Sequence, residues 1–447
     1  MRLLADLLYS LILLALAPWM VVRSLATGRY RRGLRPKLLG TPLLRTPASG
    51  SPDAPRVWFH GVSVGEIQLL VTIVAQFRQR FPDYRPVVSV TTDTGMAEAR
   101  RRFVDVEIVY FPFDFSWAVS RTLSSVSPTL IVLAESELWP NFLRIAAARK
   151  IPVVVVNGRM SPRSAKRYTA LARIARPLLL DRVSMFLMQS QGWADNLRQI
   201  GVPAERVRVT GSIKYDGAGD DRRTSATVAL GRTLGIAPGE SVWVAGSTHA
   251  PEEKIVLDVF RRVRVRFPDL RLILVPRSPD RFEEVAALAE GMSFSLLRRS
   301  RIVGHATARI DPEAVILLDS MGELTAAWGL ADVGYVGGTL DGRRGGQSMI
   351  EPAGLGVPTA FGPMTWNFRD AVARLLEVSG AFVIRTPEGL EQRILELLED
   401  ESLRRRMGEA ARGMVRSQQG ATARTLDALA GYLERGGAVQ TEERRAA

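Results

Sequence analysis

The chain has no cysteine among its 447 residues, which excludes disulfides and thiolate metal sites. Histidine is nearly as scarce, and His60, His249 and His305 are too scattered for a zinc centre. No GxxxxGK[ST] run occurs, which argues against a P-loop nucleotide hydrolase. No Asp-x-Asp pair stands at a strand end, so neither a metal nor a cofactor is assigned. The basic stretches carry no DNA- or RNA-binding signature, and no nucleic-acid partner is expected.

The composition is 46% hydrophobic and 24% charged, that of a globular protein, and the length suits two or three domains. A net charge of +14 favours anionic partners such as phospholipid headgroups or a phosphorylated substrate. Residues 3–22, LLADLLYSLILLALAPWMVV, carry one charge, Asp6, and are about as long as a bilayer core is thick. Seven Lys/Arg and no acid follow between Arg23 and Arg45. The sequence therefore predicts an N-terminal membrane-anchor helix, spanning the bilayer or lying in its interface. The basic flank places the rest of the chain on the cytoplasmic face of the inner membrane, against anionic lipids. A cleaved secretory signal fits less well, because the start has one basic residue and Pro18 would follow the cut.

From Arg56 onward, short apolar runs alternate with helical patterns. RVWFH, PVVSVTT, VEIVYF, LIVLAE, PVVVVN, MFLMQS and VRVTGS read as strands; SVWVAGS, LRLILVP, FSLLRR, AVILLD, DVGYVGG, VPTAFG and AFVIRT form a second series. Such runs predict buried parallel strands, hence an α/β chain with two Rossmann-like, doubly wound domains facing across a cleft. The expected division is an anchor and basic flank at 1–45, a first domain at 46–215 and a linker at 216–240. A second domain follows at 241–420, with a C-terminal helix and polar tail at 421–447. Single helices are expected over 163–180, 347–355 and 403–435.

Ligands of such sheets gather at the carboxyl ends of the strands. Glu66 follows VWFH, Glu135 and Glu137 follow LIVLA, and Lys214 follows VRVTGS. A carboxylate at Glu66 is either first-turn helix decoration or a catalytic base. In the second half, GGTLDGRRGGQSMIEPAGLG follows DVGYV, so glycines and unpaired N–H groups at a helix start could cradle a phosphate, with Glu351 near ribose hydroxyls. Arg277 could pair with phosphate, and Met321, Gly322 and Glu323 stand at another strand–helix junction.

Nine ordered segments resemble those of the membrane-anchored Kdo (3-deoxy-D-manno-octulosonic acid) transferases, which act on the lipid A precursor of lipopolysaccharide. They are HGVSVGE, ESELWPN, NGRMSPRSAKRY, VTGSIKYD, GSTHAPEE, VPRSPDRF, DSMGEL, GGQSMIEPAGLGVP and FGPMTWNF. The resemblance implies a GT-B fold and an inverting transfer of Kdo from CMP-Kdo, the donor substrate, to a hydroxyl of lipid IVA. It implies Glu66 as general base, with Glu135 and Lys214 stabilising the transition state. It places CMP at Pro276, Arg277, Met321, Gly322, Glu323, Gly346, Ser348, Met349, Ile350 and Glu351. The acceptor is assigned to Ser63 and Gly65 beside Glu66, and to Arg31, Arg32 and Arg35 of the basic flank. Gln347 and Ser348 replace the family's usual His-Asn, and Ser278 and Met364 replace two further histidines. A GT-B transferase using another sugar nucleotide is the alternative; a tethered, non-catalytic sugar-binding protein is a third reading.

Overall fold

The structure, a computed structural model, describes residues 2–27, 33–42, 54–135, 137–237, 239–302 and 311–446. It divides into two compact units: Met1–Asp216 with Gln419–Ala447, and Gly217–Gln418. Arg31 and Arg32 lie outside the described residues.

The first unit holds β1 (Arg56–Gly61), β2 (Arg85–Val90), β3 (Glu107–Tyr110), β4 (Pro128–Ala134), β5 (Val153–Gly158), β6 (Met185–Met188) and β7 (Val207–Val209). All pair in parallel, in the order β3-β2-β1-β4-β5-β6-β7. The strands read as continuous apolar runs because both faces are covered. In β1, Val57 and Phe59 enter one core with Leu70 and Phe77, while Trp58 points to the other with Phe142. The helix Val64–Arg80 presents Ile67, Leu70, Val74 and Phe77 to the first core, a stripe of helical period. Burying each such side chain contributes about 2 kcal/mol.

The second unit repeats the plan with β8 (Val242–Thr248), β9 (Arg271–Pro276), β10 (Leu296–Arg298), β11 (Val315–Leu317), β12 (Val333–Val336), β13 (Thr359–Phe361) and β14 (Ala381–Val383). Its order is β10-β11-β9-β8-β12-β13-β14, again parallel. Each strand run read from the sequence is present.

Three helices differ from expectation. The stretch at 163–180 breaks at Leu171 (φ −108°, ψ 18°) into Pro162–Ala170 and Ala172–Leu178. Gly420, at φ 85°, separates Glu401–Gln418 from Ala421–Ala446. The latter helix packs in the first unit, where Ala421, Leu426, Leu429 and Leu433 join the core of Phe59 and Phe77. Asp216 caps it by accepting from the N–H groups of Gly420, Ala421 and Thr422. Left-handed Gly345 and Gly346 (φ 75° and 86°) hold the chain out of helical geometry, so the helix expected at 347–355 is only Ile350–Gly354.

Of the two forms expected for the anchor helix, spanning the bilayer or lying in its interface, the spanning form is not found. Residues Arg2–Thr27 do form a helix, but no helix among the described residues is long and apolar enough to cross a membrane. Its one acid is turned inward. Buried Asp6 accepts from the Ser116 N–H (2.8 Å) and hydroxyl (2.5 Å) and from Asn141 Nδ2 (3.1 Å). Tyr9 donates to Asp114 at 3.0 Å, docking the helix start on the first unit.

Candidate functional site

The first sheet reverses strand order between β1 and β4, and the second between β8 and β12, with β10 and β11 exchanged at its edge. Such reversals open a crevice at the carboxyl ends, where ligands of α/β sheets bind.

In the first unit, Glu66 follows β1 and Glu135 follows β4, so they flank the reversal. Glu66 sits in a capping box. Its Oε2 accepts from the Val62 N–H and its Oε1 from the Ser63 hydroxyl, both at 2.8 Å, and Ser63 Oγ accepts from the Glu66 N–H at 3.3 Å. The carboxylate is thereby oriented, and each oxygen keeps a further lone pair. Beside it, Gly65 is exposed; a side chain there would meet only Ser63 Oγ, at 3.9 Å, so the fold does not require glycine.

Glu135 turns the strand end with a left-handed backbone, φ 59°, which costs a non-glycine residue about 1–2 kcal/mol. Its Oε1 lies 3.6 Å from Lys214 Nζ and 3.8 Å from Arg159 Nη1. Lys214 is held in a short turn whose Ile213 N–H donates to Asn157 Oδ1 at 3.1 Å. Asn157 is itself left-handed at the end of β5 (φ 54°), and Gln189 Nε2 donates to its carbonyl. Burial first, then the charge of Glu66, push the Glu137 carboxyl above its ordinary range, with Glu135 adding to the shift. Three carboxylates thus gather with two cations. Arg35 is exposed on the short helix Leu34–Leu39.

In the second unit, Pro276 ends β9 and Arg277 Nε donates to Gln347 Oε1 at 3.2 Å. Gly322 is left-handed (φ 92°), Met321 is exposed, and Glu323 accepts from Ser320 and Arg299. Burial holds the Glu351 carboxyl above its ordinary range, with Arg277 pulling the other way.

The glycine loop differs from its expected form. The N–H groups of Gly338, Thr339 and Leu340 point at the fully buried Glu252 carboxylate, at 2.7, 2.8 and 3.1 Å. Those of Arg343 and Arg344 go to Asp341. Beyond left-handed Gly346, Gln347, Ser348 and Met349 offer N–H groups with no acceptor among the described residues, as do Asp341, Gly342 and Gly345 earlier in the loop. The Met349 and Ile350 side chains are themselves buried, leaving backbone as their accessible chemistry. Among the described residues, no group of three or more His, Asp or Glu could hold a metal ion.

The sequence reading passed over Arg159, Asn157 and Glu252. Arg159 and Asn157 lie within NGRMSPRSAKRY and Glu252 within GSTHAPEE, so the motifs marked their neighbourhoods without marking their roles.

Two parallel seven-stranded sheets with these reversals make a GT-B-like fold, and solved structures agree in fold. A putative UDP-N-acetylglucosamine 2-epimerase from Listeria monocytogenes matches with TM-score 0.54 at 14% identity, over 85% of this chain and 97% of that one. A glycosyltransferase from Rickettsia africae matches with TM-score 0.54 at 10% identity, over 86% and 98%.

The sequence narrows the class. Residues 31–217 match the family model described as 3-Deoxy-D-manno-octulosonic-acid transferase (kdotransferase). The 3-deoxy-D-manno-octulosonic acid transferase of Haemophilus influenzae is 34% identical over 388 residues, 86% of this chain and 88% of that protein. That of Bordetella pertussis is 34% identical over 442 residues, covering 95% and 99%. The chain belongs to the 3-deoxy-D-manno-octulosonic acid transferase family and is a glycosyltransferase.

Proposed function

We propose that the chain transfers Kdo from CMP-Kdo to a hydroxyl of the lipid A precursor, lipid IVA, in lipopolysaccharide biosynthesis, with inversion at the anomeric carbon. The observation that carries this reading is the oriented Glu66 carboxylate at the strand reversal of a sheet that also carries Glu135, Arg159 and Lys214. The acceptor oxygen attacks the anomeric carbon of Kdo as its proton passes to Glu66. The bond from that carbon to the phosphate oxygen breaks, and CMP leaves as an anion. General-base assistance of this kind is worth about 10²–10⁴-fold. Lys214 adds positive charge beside the reacting centre, and its partner Glu135 fixes its position. The free N–H groups at 347–349 and Arg277 suit the CMP phosphate.

We further infer that the N-terminal helix lies in the membrane interface on the cytoplasmic side of the inner membrane. With Asp6 docked, Leu7, Leu11, Leu14 and Val22 fall along one exposed stripe, with Trp19 beside it. The basic flank, including Arg35, would meet anionic headgroups and the phosphates of the acceptor.

The test is mass spectrometry of lipid A precursor after incubation with CMP-Kdo. Wild-type protein should add the mass of Kdo. Glu66→Gln should bind CMP as wild type does and lose transfer by at least about 100-fold. Near-normal turnover in that variant would remove Glu66 from the role of base.

A further inference from the structure

The ring of His249 takes no part in the scheme above, yet its surroundings are those of a ligand contact. It follows β8, one of the two strands that flank the reversal of the second sheet; the glycine loop follows the other, β12. Left-handed Ser247 (φ 55°) turns the end of β8, where its register with β9 shifts. A side chain built on Gly338 would reach within 3.5 Å of His249 Cδ2, so the imidazole lies against the glycine loop. The placement is braced by one carboxylate. Glu252 Oε2 accepts from the backbone N–H of both His249 (3.0 Å) and Gly338 (2.7 Å), tying the two segments together.

His249 is only 7% exposed, and neither ring nitrogen has a hydrogen-bond partner among the described residues. Buried polar atoms are nearly always paired, so two vacant nitrogens on one ring call for a partner from outside the chain. The local charge says what kind. Burial first, then Arg344, Arg281 and Arg277, push the imidazole down to about 4, with Asp341 opposing. Arg281 is occupied by Glu253 and Glu284, Arg344 by Asp341, and Arg277 by Gln347. The ring is thus neutral near pH 7 and offers one N–H, and of the three guanidiniums only Arg277, on the neutral Gln347 amide, has no carboxylate partner among the described residues and suits an anionic oxygen.

We propose that His249 is a further donor-contacting residue, whose ring N–H donates to an acidic oxygen of the sugar nucleotide bound by the second unit. This rests on the CMP-Kdo reading. That donor carries two acidic groups, its phosphodiester and the carboxylate of the sugar acid. Neither Gln347 nor Ser348 supplies an imidazole, so His249 is the one histidine beside this loop among the described residues.

The inference is tested by calorimetric titration of the full chain, in a Glu66→Gln background to prevent turnover, with CMP and separately with CMP-Kdo. His249→Phe keeps an aromatic ring without the N–H; His249→Ala serves if phenylalanine overfills the site, and melting curves check that each folds. A charge-assisted hydrogen bond corresponds to about tenfold in Kd. Equal weakening for both ligands assigns the ring to the phosphate; weakening for CMP-Kdo alone assigns it to the sugar carboxylate. Unchanged affinity for both ligands in a folded variant overturns the inference. Absence of CMP binding in the parent protein would overturn the donor reading itself.

Discussion

Glu252 can be removed from its setting almost without changing its shape, and the consequence can be worked out atom by atom. Its Oε1 accepts from the Thr339 and Leu340 N–H groups and from the Tyr335 hydroxyl; its Oε2 accepts from the Gly338 and His249 N–H groups. In Glu252→Gln the amide oxygen can serve only one of these sets. Placed at the richer Oε1 position, it leaves the amide NH₂ facing two backbone donors in a fully buried site. Each donor left unsatisfied costs about 1–3 kcal/mol, so the substitution should cost roughly 2–6 kcal/mol. That is a large share of the ~5–15 kcal/mol that holds a domain together. For a unit the size of Gly217–Gln418 it corresponds to a melting point lower by roughly 5–20 °C. Scanning calorimetry reads the shift, and hydrogen exchange locates it: the amides of Gly338, Thr339, Leu340 and His249 should lose protection first. A variant melting within about 2 °C of wild type, with those four amides still protected, would refute the idea that this carboxylate organises the loop.

Two further outcomes are expected. Glu135→Gly should be more stable than Glu135→Ala by about 1–2 kcal/mol in urea unfolding, because only glycine accepts φ 59° without strain; equal stability would dismiss the strained turn. Burial pushes Asp114 up to about 6 from 3.8, against the pull of the Asn141 and Phe142 N–H groups. Between those values the folded chain holds a proton that the unfolded chain has released, so this group's contribution to stability falls as pH rises. Relative to Asp114→Asn, wild type should lose up to ~3 kcal/mol between pH 4 and pH 6 and change little above; a flat or rising difference would sink this account.

The fourteen strands were legible because parallel strands buried on both faces leave continuous apolar runs, as Val57, Trp58 and Phe59 show by dividing between two cores. Glu66 was legible as a carboxylate at a strand end, though its capping box would look the same in a helix with no catalytic duty. Other features were not readable. Nothing in glutamate marks a left-handed backbone, so the turn at Glu135 is imposed by the surrounding fold. The pairing of Arg159 with Glu135 and the hold of Asn157 on the Lys214 turn join separate strand ends, where local pattern is silent. The loop at 337–349 reads from its glycines as a phosphate cradle, but the acid that takes up three of its N–H groups lies some 86 residues earlier in the chain.

The cap that Asp216 places on the last helix has an architectural consequence. The chain leaves the first unit after Asp216 and re-enters it at Gln419, and the Asp216 carboxylate accepts from the Gly420 N–H at 2.7 Å. Exit and return are therefore neighbours, and the second unit is an insertion in the chain of the first. Excising 217–418 would join ends that already touch, so a short bridge could yield the first unit as a free-standing protein. Cutting the chain before Ala421 would do the opposite of what its position suggests: it would strip a core helix from the N-terminal unit and leave the C-terminal sheet intact.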